Sequence, residues 1–325
     1  MNIETTIKEA QRLLSENEAE WMKRYKGYAK AMLSNEDYII TNRRKFYEYA
    51  PLRYYISTTN AKGTRNHLSL DVRYRGQSVA LLKVTRSDVT ISTKGKNTNN
   101  SRDFDCKIEL NDVKWNESDA QIFRNFFKNR ENIRNSNNNK KNEEHNVESL
   151  LLSEFSKRNS KDKHILGIQP VKFCGIRFGM PTPISASDHK KPLKYAKQNG
   201  GGIDILTRTG GGGHSTYLTV IEVKDENNSK EPPEDALKQA VQYAVFIREL
   251  LRSGCGEDWY KLFGFKGKIP QSLKIRVACA MPDDILDMSF TKTTYPIGSD
   301  TIECHYIYFK YDEQRLSNFQ TSLEQ

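Results

Sequence analysis

The stretch that most constrains the fold of this 325-residue chain is YLTVIEVK, residues 217–224. Its aromatic, aliphatic and β-branched residues are those of a buried strand. Strand side chains alternate, so Leu218, Val220, Glu222 and Lys224 share one side and Thr219, Ile221 and Val223 the other. A carboxylate and an ammonium therefore point together from the end of an apolar strand. Upstream, residues 202–206 (GIDIL) read as another strand, with Asp204 between Ile203 and Ile205. Charges in such company are costly unless they find partners or a metal. Two carboxylates converging from adjacent strands form an oxygen-rich pocket suited to Mg²⁺. A lysine beside such an ion can orient the attacking water, help deprotonate it, or offset charge on a phosphate.

The surrounding segments alternate in period. Residues 146–157 read as a helix and residues 171–178 (VKFCGIRF) as a strand. The glycines at 210–213 suggest a hairpin loop between the two charged strands. Residues 232–251 read as a helix, with Leu237, Ala240, Val241, Ala244, Ile247 and Leu251 on one face. Residues 273–280 and 305–311 close the pattern as strands, and Met281-Pro282-Asp283-Asp284 reads as a turn. The order implies an α/β fold, a central mixed sheet flanked by helices.

These residues resemble the PD-(D/E)xK nuclease superfamily. The resemblance rests on Gly202-Ile203-Asp204-Ile205, then Ile221-Glu222-Val223-Lys224, then a helix carrying Gln239-Ala240-Val241-Gln242-Tyr243-Ala244. The last piece is similar to the Q-x-x-x-Y helix of the RecB-type branch, and the likeness covers roughly residues 146–280. Gly202 and Ile203 stand where a proline usually precedes the first aspartate. The resemblance implies a restriction-endonuclease-like fold and a metal-dependent deoxyribonuclease using Mg²⁺ or Mn²⁺. It implies Asp204, Glu222 and the backbone carbonyl of Val223 as metal ligands, and Lys224 as the water-activating or charge-balancing residue. A first-helix glutamate is expected near the metal, Glu148 in preference to Glu154, and Gln239 would steady Lys224 or the scissile phosphate. Lys190, Lys191 and Lys194 form a basic stretch near Asp204 suited to backbone phosphates, and Tyr243 is a further candidate contact.

The N-terminal half has its own character. Residues 4–33 read as one helix, 67–72, 79–84, 89–93 and 104–110 as strands, and 115–128 as a helix. Residues 1–135 thus form a small α+β domain, residues 136–145 an Asn-rich linker, and residues 146–325 the nuclease-like domain. Of the chain's net charge of +10, +8 falls on residues 1–135, which suits a polyanionic partner. Arg73 and Arg75 are candidate DNA contacts there. The five cysteines are scattered without a CxxC, which argues against a disulfide framework or structural zinc. No apolar run is long enough for a membrane span, and the N-terminus lacks a secretory pattern. The expectation is a cytoplasmic nuclease with nucleic acid as partner, a homo-oligomer being left open. The competing reading is an inactive nucleic-acid-binding or assembly protein that retains the nuclease fold.

Overall fold

The computed structural model describes the chain except residues 1, 47–48, 60–66, 94–103, 131–142, 158–163, 166, 186–191, 199, 210–216, 227–229, 231, 284–292, 313–314 and 324–325. It is a mixed α/β protein with seven helices among the described residues. None of them is long and apolar enough to cross a membrane.

The chain divides into two compact units, but not as two consecutive segments. One unit comprises Met1–Lys26, Val147–Val171 and Met180–Gln325; the other comprises Gly27–Asn146 and Lys172–Gly179. The segment read as a linker is outside the described residues up to 142, and residues 143–145 already belong to the helix Glu143–Phe155. The single N-terminal helix expected is two, Ile3–Glu16 and Glu18–Ser34, with a third, Glu36–Phe46, beyond. Asn17 makes the break. Its side-chain amide donates to the Leu13 carbonyl, and the Trp21 indole N–H takes the Leu14 carbonyl.

The first-named unit is built on a mixed sheet ordered Thr293–Ile297, Asp300–Tyr311, Lys274–Pro282, Tyr217–Val223, Ile205–Thr209, Ile168–Pro170. Tyr217–Val223 runs parallel to Lys274–Pro282 and antiparallel to Ile205–Thr209. Six of its seven residues are buried, as a central strand covered on both faces requires. The helix Pro233–Arg252 packs on this sheet and on the helix Ile3–Glu16. Trp21, Tyr25 and Phe246 meet in one aromatic cluster, with Tyr25 and Phe246 ring centres 4.8 Å apart. Trp259, on the short helix Gly256–Leu262, donates its indole N–H to the Tyr25 carbonyl, and the Tyr25 hydroxyl donates to the Pro181 carbonyl. Ile7, Ala10, Leu14, Trp21 and Tyr25 are thus part of this unit's core.

In the second unit a sheet runs Val113–Lys114, Val89–Ser92, Gln77–Thr85, His67–Tyr74, Arg53–Ile56, Ile176–Phe178, Lys172–Phe173. Its hairpin turns at Arg75 and Gly76, both at positive φ (47° and 78°), as a two-residue turn between right-twisted strands demands. Two strand readings need correction. Residues 171–178 are a tight hairpin around Cys174 and Gly175, at the edge of this sheet, not one strand of the other. Residues 104–110 form no strand; Leu110 instead donates its N–H to the Thr93 hydroxyl.

Candidate active site

The expected strand at residues 202–206 is interrupted at its charged residue. Gly201–Ile203 pairs with Met180–Thr182, Ile205–Thr209 pairs with Tyr217–Val223, and Asp204 is the bend between them. Ile205 faces Ile221 in that second ladder, so one further step sets Asp204 opposite Glu222. Directly opposed residues of an antiparallel pair lie on the same face. The bend also lets the Asp204 carboxylate reach along the edge, where Oδ2 accepts the Val223 N–H at 2.9 Å.

Lys224 follows immediately, and its Nζ lies 3.2 Å from Glu222 Oε1. Both side chains are nearly buried, at 10% and 8% exposure, so this pair is weakly screened. The Lys224 backbone N–H continues the sheet by donating to the Ala280 carbonyl. Asp204, Glu222, the Val223 backbone and Lys224 are therefore gathered at one sheet end.

The helix Pro233–Arg252 supplies two more groups, Gln239 and Tyr243, a turn apart and both buried. Burial first, then the Glu222 and Asp204 carboxylates, push the Tyr243 phenol well above the ordinary tyrosine value, with Lys224 pulling the other way. Tyr243 accordingly stays a neutral hydroxyl beside the charged trio, a donor rather than an anion. Its Oη lies 2.6 Å from where a Cβ on Gly201 would stand, so Gly201 is the residue that admits it. Sequence reading passed over Gly201, although the run Gly200-Gly201-Gly202 before Ile203 signals close approach of another group.

The two helix glutamates have different surroundings. Glu154 accepts the His164 backbone N–H and lies within ion-pair distance of Lys157 and His164. Burial alone would raise its pKa, but these partners hold it below the ordinary carboxylate value. Glu148 is buried on the helix face that also carries Val147, Leu151, Leu152 and Phe155.

Other expected residues lie on other elements or outside the described residues. Lys190 and Lys191, with His189 and the glycine loop 210–213, lie outside the described residues. Lys194 is exposed on the short strand Lys194–Tyr195. Arg73 and Arg75 belong to the other unit's sheet and its hairpin. Met281 and Pro282, read as a turn, instead end the strand Lys274–Pro282. Asp283 follows, 2% exposed, its N–H donated to the Phe309 carbonyl.

The donors at Asp204, Glu222 and the Val223 carbonyl are all oxygen, the ligand chemistry that suits Mg²⁺ or Mn²⁺. Among the described residues, no group of three or more His, Cys, Asp or Glu side chains is placed to hold a metal ion. Mg²⁺ characteristically keeps several waters and uses only one or two carboxylates. No family model, curated protein or solved structure matches the chain.

Proposed function

We propose that this chain is a metal-dependent nuclease of restriction-endonuclease-like fold that hydrolyses phosphodiester bonds in DNA. The observation that carries the reading is the convergence of Asp204, Glu222 and Lys224 at one sheet end, within electrostatic reach of Tyr243. Asp204 and Glu222 would hold the ion with the Val223 carbonyl, and a bound Mg²⁺ would supply Lewis acidity at the scissile phosphate. The compact ammonium of Lys224, 3.2 Å from Glu222, would orient the attacking water or offset phosphate charge. Tyr243 offers a hydroxyl hydrogen to the same region, and Gln239 lies one turn before it. Glu148, on the buried face of its helix, is the remaining acidic candidate. The basic N-terminal half would grip the polyanion.

Incubation with linear, circular and single-stranded DNA, with and without Mg²⁺ or Mn²⁺, tests the activity. Asp204→Ala, Glu222→Ala and Lys224→Ala should each lower divalent-dependent cleavage by roughly 10²-fold or more, as loss of a group acting on transition-state charge does. Circular dichroism should show each variant folded. Cleavage within a fewfold of wild type in a folded carboxylate variant would remove the assignment. Metal binding has a separate readout. Saturating Mg²⁺ at a hundred times Kd should stabilise the wild type by about 2.7 kcal/mol, and Asp204→Asn should lose most of that gain in a thermal melt. An equal gain in both proteins places the metal elsewhere.

A further inference from the structure

We infer that the open face of the sheet in the unit Gly27–Asn146 with Lys172–Gly179 is a nucleic-acid backbone-binding surface. The inference rests on the nucleic-acid part of the proposed function and not on its cleavage chemistry.

Alternation fixes what the two faces carry. His67–Tyr74 has the burial pattern of a strand covered on one side only, with Leu68, Leu70, Val72 and Tyr74 buried and His67, Ser69, Asp71 and Arg73 partly exposed. Helices cover the buried side: Phe46 meets Tyr54 at 6.1 Å between ring centres, and Phe127 meets Tyr74 at 4.9 Å. Register then assigns the opposite side strand by strand. Arg53 faces Arg73, Tyr55 faces Asp71, Arg177 faces Tyr55, Lys172 faces Arg177, and Lys83 faces Ser69. Residues directly opposed on neighbouring strands share a face.

Five cations, Arg53, Arg73, Lys83, Lys172 and Arg177, therefore stand on one face spread over five strands. Among the described residues of those strands, Asp71 is the one acidic side chain on it, 2.7 Å from Arg73. The arrangement is built rather than scattered. Two guanidiniums lie over the Tyr55 ring, Arg73 at 4.4 Å and Arg177 at 5.8 Å from its centroid. The Arg177 guanidinium also donates to the Tyr55 hydroxyl. Burial first, then Lys83, hold the His67 imidazole below the ordinary value, with Asp112 pulling the other way. Tyr55 and Arg177 are both buried, so Arg53, Arg73, Lys83 and Lys172 present the charge of this face, which offers no exposed ring for stacking. That chemistry fits sugar–phosphate backbone, which guanidiniums meet with paired N–H donors.

The test uses the full-length chain in EDTA, so that binding is read without cleavage, with a fluorescent duplex and a single strand of the same length. Affinity is measured across a salt series for the wild type, for R53Q/K83Q/K172Q on the face, and for K30Q/R44Q/K128Q on helix surfaces of the same unit. The face variant should lose at least tenfold in affinity. Its slope of log affinity against log salt should fall by about 0.9 per lost duplex contact, or about 0.7 on the single strand. The helix variant should keep at least two thirds of the wild-type slope. Lys83→Gln alone, at an exposed position, should lower the slope by one contact and serves if the triple variant does not fold. A face variant with wild-type slope, or an equal loss in the helix variant, overturns the inference. DNA bound through this face by a chain that never cleaves would leave it standing while removing the nuclease reading.

Discussion

Gly201 and Tyr243 are locked together by space. A methyl at residue 201 would stand 2.6 Å from the Tyr243 hydroxyl, and that ring is only 3% exposed, so it has little room to retreat. Gly201→Ala should therefore cost about 1–3 kcal/mol, the usual range for overpacking, and, on the proposed function, should impair cleavage by displacing the Tyr243 hydroxyl. Tyr243→Phe removes the clashing atom. The double variant should then recover most of the stability lost by Gly201→Ala, measured by urea unfolding. Strictly additive losses would show that the two residues do not press on each other. At the same site Lys224→Arg should, on the proposed function, lose cleavage as Lys224→Ala does, because a forked guanidinium does not replace a compact ammonium 3.2 Å from Glu222. Activity near wild type for that variant would show that Lys224 supplies charge alone.

At the scale of elements, Asp300 ties the end of the helix Pro233–Arg252 to the strand Asp300–Tyr311. It accepts from Arg248 Nε at 2.8 Å, from Arg252 and from the Leu273 N–H at 2.8 Å. Burial alone would raise its pKa, but the two arginines and the N–H together hold it below the ordinary carboxylate value. A depressed carboxylate contributes stability that is present above its unfolded pKa and disappears as pH falls through the folded one. Asp300→Asn should cost about 2 kcal/mol at pH 7, less than a fully buried pair because both arginines are partly exposed. The gap to wild type should persist at pH 5 and narrow below about pH 4, near the unfolded value. Unfolding curves at pH 7, 5 and 3 check this, and a gap constant across them would refute it.

The same scale shows what was legible beforehand. Strands with strict alternation or sustained β-branching, such as His67–Tyr74 and Tyr217–Val223, were readable because burial writes itself into period. The helix Pro233–Arg252 was readable from its apolar stripe. The bend at Asp204 was not, because a polar residue within an apolar strand gives no sign that its neighbours join different partners. The hairpin at Cys174-Gly175 was also hidden. Its leading residue is a cysteine held at φ 51°, where turn chemistry would put asparagine or glycine. For the site, spacing named the charged residues, whereas Gly201 became visible only through the atom it faces.

For the whole molecule, the division into units is interleaved, and truncation should reveal it. A fragment starting near residue 138 lacks the helix Ile3–Glu16 and the Trp21 and Tyr25 rings that pack on Phe246. It should therefore be poorly folded and aggregation-prone, exposing the apolar flank of the helix Pro233–Arg252, and adding back residues 1–26 should improve its solubility. Circular dichroism and light scattering of the two preparations decide the matter. A soluble, cooperatively folded short fragment would show that residues 1–26 are dispensable.

That interleaving also sets an order of events during synthesis. Residues 1–26 leave the ribosome long before Phe246 and Trp259, the rings that Tyr25 packs against, which are added more than 200 residues later. At roughly 5–20 residues per second, the opening helix waits on the order of ten seconds or more for its partner. The helix that carries Tyr243 cannot acquire its full packing before then. A growing chain thus carries Asp204 and Glu222 before their surroundings are complete, and stalled nascent chains ending before residue 233 should be unable to cut DNA even when released full-length chains do.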